Sequence, residues 1–325
     1  LLCLALALVL DLVLWLIGRA VTPWARGRAP LRADEVQAAL LAPAGPLRRC
    51  EVLPVAGSTS TEALARLAAD PAWADGGLLT AEHQDAGRGR GGHTWTTPPG
   101  AAVTLSLVLR PGVPRSAWGW LPLLTGLGVV RAVSAVSGLP AALKWPNDVL
   151  LPAADGADLP GWGTDRKAAG ILAEVAPSGD AVVLGIGVNV GQAAAELPVP
   201  SATSLRAAGA AGAAGAAGAA GAAGVDRTAV LVAVVREVLA VLERWRAHGG
   251  DVTAAGLDAD VAAVCRTLGS AVRATLPDGA EARGTAVRID ADGALVLRGA
   301  DGAERRLLAG DVRHVRPAGE LGSPV

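Results

Sequence analysis

The sequence predicts an α+β fold: a mixed sheet packed with helices, followed by a small C-terminal β-barrel. Three observations predict it. Between residues 48 and 250, apolar strand-like runs are interspersed with long helical stretches. After Thr267 the texture changes to short β-type runs separated by Asp-Gly pairs. The chain has 325 residues, 51% hydrophobic and 18% charged, which is enough for roughly two domains with one sizeable core.

Residues 1–17 are apolar apart from Asp11, about the shortest length that can span a bilayer. Arg19, Arg26, Arg28 and Arg32 follow, which the positive-inside rule places in the cytoplasm. The first residue is Leu, so the sequence reads as a fragment or a processed chain. The hydrophobic segment at 1–20 is expected to be a membrane anchor or an upstream extension. A cleaved signal is disfavoured, because Arg, Pro and Trp stand where small residues belong. The rest of the chain is expected in the cytoplasm. Residues 21–47, rich in Pro, Ala, Gly and Arg, read as a linker with a short helix over 34–41.

Thr59-Ser-Thr-Glu62 fits a capping box that opens an amphipathic helix reaching Ala69. Residues 78–81 are strand-like, and Val103, Leu105, Leu107 and Leu109 alternate as a strand does. Residues 118–136 are apolar enough to mimic a membrane span, but Pro122, Gly126, Gly128 and Arg131 make a core helix the better reading. Two further stretches, 168–175 and 181–190, read as buried strands. The A-A-G repeat at 207–224 opposes helix, lacks side chains to build a core, and lacks the proline of collagen. It is expected to be a low-complexity loop within the fold. A long helix, apolar nearly all round, is expected over 226–246. Four short runs (271–276, 284–289, 294–298 and 305–308) are separated by Asp-Gly at 278–279, 292–293 and 301–302, giving a separate barrel over 265–317.

Net charge is −1, so no broad basic surface awaits nucleic acid, and any cationic work must be local. Cys3, Cys50 and Cys265 are far apart and form neither a C-x-x-C pair nor a disulfide framework; they read as inert or reduced thiols. The four histidines show no metal-ligand spacing, and no Ser-His-Asp set stands out.

Composition also marks out a few residues. Only Lys144 and Lys167 are lysine among 29 Lys+Arg, and only Asn147 and Asn189 are asparagine. The chain has no Met, Tyr or Phe. Against that drift, two amines and two carboxamides suggest sites that Arg or Asp cannot serve; ordinary surface lysines are the alternative. The run Gly87-Arg88-Gly89-Arg90-Gly91-Gly92 joins glycines, which let backbone approach a ligand, to two guanidinium forks suited to phosphate. It is not a Walker loop, and a solvated turn or an RGG-like nucleic-acid segment stays open. K-W-P-N-D at 144–148 reads as a strand end entering a turn, because helix is disfavoured before Pro146. Asp148 is a candidate to hold Mg²⁺ or to orient a ribose or an ammonium; a turn-stabilising role is the alternative. Lys167, at the mouth of a buried strand beside Gly170, can reach a carboxylate and a phosphate together; a surface lysine is the alternative. Ser58 and Thr59 are candidate ligand contacts or helix caps, and Glu174 a candidate structural residue.

Taken together, S-T-S-T-E-A-L (58–64), A-E-H-Q-D-A-G-R-G-R-G-G-H-T-W (81–95), L-K-W-P-N-D-V-L (143–150), R-K-A-A-G-I-L-A-E (166–174) and V-L-G-I-G-V-N-V (183–190) resemble the biotin protein ligase family. The tail A-G-D-V-R-H-V-R (309–316) also fits, and the resemblance covers about 48–317. It implies a fold akin to the catalytic core of class II aminoacyl-tRNA synthetases over 48–250, with an SH3-like barrel at 265–317. It also implies a reaction: biotin and MgATP give biotinyl-5′-AMP and pyrophosphate, and a lysine of a biotin carboxyl carrier protein then takes the biotinyl group.

The same resemblance implies the site. Ser58, Thr59, Ser60 and Gln84 would hydrogen-bond biotin, with Gly89 and Gly170 beside it and Trp95 as an apolar wall. Arg88, Arg90 and Lys167 would be catalytic, with Lys167 bridging the biotin carboxylate and the α-phosphate. Gly87, Gly91, Gly92, His93, Lys144, Asn147, Asp148 and Asn189 would lie on the ATP side. No dedicated metal site is expected; Mg²⁺ would enter with ATP, with Asp148 as its candidate ligand. Three departures from the family stand out: Ser60 for Asn, His83 for Tyr and His93 for Arg. The last implies weaker triphosphate binding and a pH-dependent activity.

Nothing before residue 48 has the length or periodicity of a winged helix, so a ligase without repressor function or nucleic-acid partner is expected. Membrane contact would come only through 1–17, and a homodimer is left open. The rival readings are a lipoate or octanoate ligase or transferase and, from another class, a membrane-tethered RNA- or nucleotide-binding module.

Overall fold

The computed structural model describes residues 28–210, 225–276, 279–308 and 311–314. The hydrophobic segment at 1–20, residues 21–27 of the linker, 211–224 of the Ala/Gly stretch, Asp278 and the tail from 315 lie outside the described residues.

Seven strands form the main sheet: β1 Arg49–Leu53, β2 Asp75–Ala81, β3 Ala102–Leu109, β4 Ala142–Lys144, β5 Asp148–Pro152, β6 Asp165–Val175 and β7 Val182–Asn189. Their order is β1-β2-β3-β7-β6-β5-β4. β1 and β2 run parallel, and every other neighbouring pair is antiparallel. The helices are α1 Ala33–Leu40, α2 Thr59–Ala69, α3 Leu121–Ser137, α4 Arg227–Ala247 and α5 Leu257–Val264. α3 and α4 pack together over one face of the sheet, and α2 covers the other.

The alternation over 103–109 is present, but both faces of β3 are buried. Val103, Leu105, Leu107 and Leu109 join the main core, while Val108 joins Ala63 and Leu67 of α2 in a smaller one. A strand at the centre of a sheet clad in helices on both sides shows neither face to water.

The apolar stretch at 118–136 is a core helix, as its glycines and Arg131 predict. Arg115–Ser137 is long and apolar enough to cross a membrane, yet 67% of its most apolar window is buried inside the protein. α4 differs from expectation: it is two-faced rather than apolar all round. Val230, Val234, Val238, Val241 and Trp245 are buried, whereas Arg236, Glu243 and Arg244 face solvent. The Asp226 side chain caps its start by accepting the Thr228 N–H at 2.9 Å. α2 starts where the sequence places it, but the capping box does not form. The Ser58 hydroxyl makes no capping bond, and the Thr59 N–H donates instead to Gln84 Oε1 at 2.7 Å.

The C-terminal strands β8 Ala271–Thr275, β9 Glu281–Ile289, β10 Leu295–Arg298, β11 Glu304–Leu307 and β12 Asp311–His314 form an antiparallel sheet, order β11-β10-β9-β8-β12. This second sheet is separate in its hydrogen bonding but shares the main core, which Val272, Ala274, Leu295 and Leu297 extend. The turn at 291–293 is wedged against two tryptophans of the main domain. Trp120 Nε1 donates to the Ala291 carbonyl at 2.9 Å, and Trp145 Nε1 to the Gly293 carbonyl at 3.1 Å.

Cys50 and Cys265 are free thiols: burial, with the Glu51 charge nearby, pushes the Cys50 thiol up to about 11, and burial also raises Cys265, which disfavours the thiolate.

Candidate active site

On the α2 face of the sheet, the central strands carry glycine where side chains would otherwise project. Gly170 of β6 and Gly187 of β7 are register partners. The Trp95 indole lies on this pair: a Cβ on Gly187 would meet Trp95 Cε2 at 2.6 Å, and one on Gly170 would meet Cζ3 at 3.3 Å. Two residues earlier on the same face of β7, a Cβ on Gly185 would strike Ser60 Oγ at 2.6 Å. The missing side chains therefore make a shallow well in an otherwise filled layer. Gly187→Ala should crowd Trp95 out of that well. We expect KM for the ligand that binds there to rise about tenfold, with the melting temperature nearly unchanged; steady-state kinetics with a parallel melt checks this.

The first wall of the well is the start of α2. Thr59 Oγ1 accepts from Ser106 Oγ at 2.9 Å, and Ser60 Oγ lies 3.1 Å from the same Ser106 oxygen. These hydroxyls are buried and preordered by β3. Gln84 spends Oε1 on the Thr59 N–H, so its role in fixing α2 comes with its place in the pocket wall.

The opposite wall is cationic. Lys167 Nζ sits 2.6 Å from Asp148 Oδ1 and 5.9 Å from the centre of the Trp95 ring. Lys144 Nζ is 3.7 Å from Asp148 Oδ2 and 4.6 Å from the Trp162 ring centre. One carboxylate thus stands between two ammonium groups. Lys167 is 30% exposed, whereas Lys144 is 3% exposed, so only Lys167 is presented to a ligand. Gly170 leaves space for the lysine stem, which passes 3.2 Å from where its Cβ would be. Asn147 fastens the K-W-P-N-D turn onto β6: its Nδ2 donates to the Ile171 carbonyl at 2.9 Å, and the Ile171 N–H returns a bond to the Asn147 carbonyl at 2.9 Å.

The R-G-R-G-G run is a tight loop folded back on itself. The Trp95 N–H donates to the Gly87 carbonyl at 2.8 Å, and the Gly89 N–H to the His93 carbonyl at 2.7 Å. Gly91 and Gly92 adopt φ +65° and +79°, a conformation that favours glycine. Arg88 pairs with Glu174 and donates to Thr61 Oγ1 at 3.1 Å, so part of its fork is held at the rim.

Most of the expected residues meet in one pocket: Ser58, Thr59, Ser60, Gln84, Arg88, Gly89, Arg90, Trp95, Asn147, Lys167 and Gly170 line it. The remainder do not, each for a physical reason. Gly87 is buried because its Cα abuts the Trp95 backbone, where a Cβ would lie 2.2 Å from the carbonyl oxygen. Gly91, Gly92 and His93 are exposed at the tip of the loop. Lys144 and Asp148 stand behind Lys167. Asn189 is 5% exposed and fully committed: its Nδ2 donates to the Thr203 carbonyl at 2.9 Å and its Oδ1 accepts from Gln192 Nε2 at 2.8 Å.

Asp148, the candidate Mg²⁺ ligand, is paired with Lys167 and Lys144. Two ammonium groups face its oxygens, and they would repel a divalent cation. Among the described residues no three His, Cys, Asp or Glu side chains gather as a metal site.

Sequence reasoning missed Gly185, Gly187 and the serine partner Ser106. The Gly-x-Gly spacing on a strand, which puts both glycines on one face, was the available signal for the first two. Ser106 had none, because it is a lone hydroxyl in an apolar strand.

The geometry has counterparts. The family described as the biotin/lipoate A/B protein ligase family matches residues 52–190, and the biotin protein ligase C terminal domain matches 267–315. The chain is 40% identical over 295 residues to the biotin–[acetyl-CoA-carboxylase] ligase of Mycobacterium tuberculosis, covering 90% of this chain and 98% of that protein. It is 35% identical over 158 residues to the bifunctional ligase/repressor BirA of Bacillus subtilis, covering 46% of this chain and 45% of that one. The solved structure of a biotin protein ligase from Aquifex aeolicus in complex with biotin and ATP superposes with a TM-score of 0.62 at 23% identity. It covers 83% of this chain and 100% of that one, a likeness of fold.

Proposed function

The chain belongs to the biotin/lipoate A/B protein ligase family, and from that premise we propose that it is an ATP-dependent biotin protein ligase. It activates biotin as biotinyl-5′-AMP and transfers the biotinyl group to a lysine of a biotin carboxyl carrier protein. The observation that carries this reading is the meeting of the Lys167 ammonium, the R-G-R-G-G loop and the Ser58–Ser60 hydroxyls around one glycine-floored pocket.

In the first step a carboxylate oxygen of biotin attacks the α-phosphorus of ATP and pyrophosphate leaves. Two anions must be brought together, so the need is for positioned cations rather than a protein nucleophile. Lys167 is placed for this role: Asp148 aims its stem, and the ammonium keeps donors free for a carboxylate and a phosphate. Arg90 and the exposed part of Arg88 supply further donors at the loop. Ser58, Thr59, Ser60 and Gln84 hold the polar ring of biotin, and Trp95 covers its apolar part. Trp95 Nε1 is buried with no hydrogen-bond partner, a donor for a ligand acceptor. In the second step the carrier amine attacks the acyl carbon, AMP leaves, and the amine loses its proton.

Mg²⁺ is assigned to the incoming triphosphate rather than to a protein cage. Asn189 serves the nucleotide side by holding the loop at 190–206 in place. His93 stands exposed at the loop tip, where the family has Arg.

The test is ATP–pyrophosphate exchange. Exchange stimulated by biotin and not by lipoate, followed by labelling of an acetyl-CoA carboxylase carrier domain, is the expected result. Stimulation by lipoate alone would transfer the chain to the other branch of its family.

A further inference from the structure

Residues 28–32 run between three elements of the main domain. Arg28 Nη1 donates to the Pro99 carbonyl at 3.3 Å, the Ala29 carbonyl accepts from Arg227 Nη1 at 3.4 Å, and the Arg32 N–H donates to Thr228 Oγ1 at 3.1 Å. One partly buried contact of this strap is an ion pair. Arg28 Nη2 donates to Glu196 Oε1 at 2.8 Å and Oε2 at 2.7 Å, with the two side chains 13% and 16% exposed. Glu196 also accepts the Ala193 N–H at 2.8 Å. Burial works against its charge, but the Ala193 N–H and Arg28 together hold the carboxylate below its usual range.

The loop that Glu196 anchors is bonded to the site at its far end. The Lys167 N–H donates to the Ser201 carbonyl at 2.8 Å, and the Thr203 N–H donates to the Lys167 carbonyl at 2.8 Å. Between these two anchor points runs a buried polar network. Gln192 Nε2 bonds Asn189 Oδ1, Asn189 Nδ2 bonds the Thr203 carbonyl, and Ser204 Oγ donates to the Gln192 carbonyl at 2.6 Å. A continuous set of short bonds therefore links Arg28 to both backbone groups of Lys167. Its inner members Asn189, Gln192, Thr203 and Ser204 are buried and its ends at Arg28 and Glu196 are partly buried, so loosening the ends puts strain on polar groups that have no water to turn to.

We infer that Arg28 is a positioning residue for adenylate formation: through Glu196 it fixes the 190–206 loop, whose pairing with the Lys167 backbone sets where the ammonium stands. The inference rests on the ligase reading above. It assigns catalytic consequence to a residue that touches no substrate and lies 139 positions before Lys167.

The experiment compares the full chain with Arg28→Ala, Glu196→Gln, Arg32→Ala and the exchange Arg28→Glu/Glu196→Arg. The readouts are biotin-dependent ATP–pyrophosphate exchange, transfer from preformed biotinyl-5′-AMP to the carrier, and amide hydrogen exchange of residues 190–206. Arg28→Ala and Glu196→Gln should lower kcat/KM for exchange about tenfold while leaving transfer within about twofold. Protection of 190–206 should fall with them. Arg32→Ala breaks the more exposed Arg32–Asp226 pair of the same strap and should leave exchange unchanged. The charge-exchanged double variant should recover part of the loss.

Wild-type exchange in folded Arg28→Ala and Glu196→Gln would overturn the inference, as would an equal loss in Arg32→Ala. If the wild-type chain shows no biotin-dependent exchange, the ligase reading itself fails. The positional claim is then decided by hydrogen exchange alone, and unchanged protection of 190–206 in Arg28→Ala overturns it.

Discussion

Lys167→Ala should lose biotin-dependent ATP–pyrophosphate exchange, by about 10³-fold, while still unfolding in a cooperative transition. The side chain is 30% exposed and contributes no core packing, so little stability rides on it. What it supplies is charge at one point: its ammonium lies between the pocket and Asp148, on the wall opposite the α2 hydroxyls. Removing it leaves the biotin carboxylate facing the α-phosphate without a shared counter-ion. Lys167→Arg should recover only a small part, because a planar fork cannot pass the Gly170 gap and turn as a compact ammonium does. Exchange at wild-type rate in Lys167→Ala would remove the centre of the proposed mechanism.

The second large effect is on stability. Asp148→Ala should destabilise the fold by about 3 kcal/mol, because it removes a carboxylate held between two ammonium groups, 2.6 Å from Lys167 and 3.7 Å from Lys144. For a domain of this size that lowers Tm by roughly 10 °C. Asp148→Asn keeps the shape and an acceptor and should cost less, yet it should impair exchange because Lys167 is no longer aimed. A thermal melt of both variants checks the order. An Asp148→Ala melt within a degree or two of wild type would mean that Lys144 is neutralised by other groups.

Much of the chain was legible in advance. Asp-Gly pairs mark the turns of the small sheet because a tight three-residue hairpin loop needs positive φ at its last residue, and Gly293 and Gly302 adopt +85° and +80° there. The strands at 168–175 and 181–190 were readable from β-branched runs, and the helix at 118–136 from glycine and arginine inside an apolar stretch. The α4 helix was misjudged because its apolar composition hides the spacing of Arg236, Glu243 and Arg244, which face solvent. The capping box at 59–62 was misjudged because a side chain 25 positions away, Gln84, took the donor that the local motif would have used.

The sequence by itself singled out the candidate residues: the scarce amines and carboxamides, the Arg-Gly loop, and the motifs of the family in their order. Those are properties of residue type and spacing, and they survive translation into any coordinates. Only the tertiary structure decided where each one stands. It set Lys144 behind Asp148 and Lys167 before it, spent Asn189 on an inner network, and used glycines on two neighbouring strands to hollow the pocket. It also brought Arg28 to Glu196 across 168 positions. The reason is that burial and pairing depend on distances through space between segments remote in the chain, which local pattern does not encode.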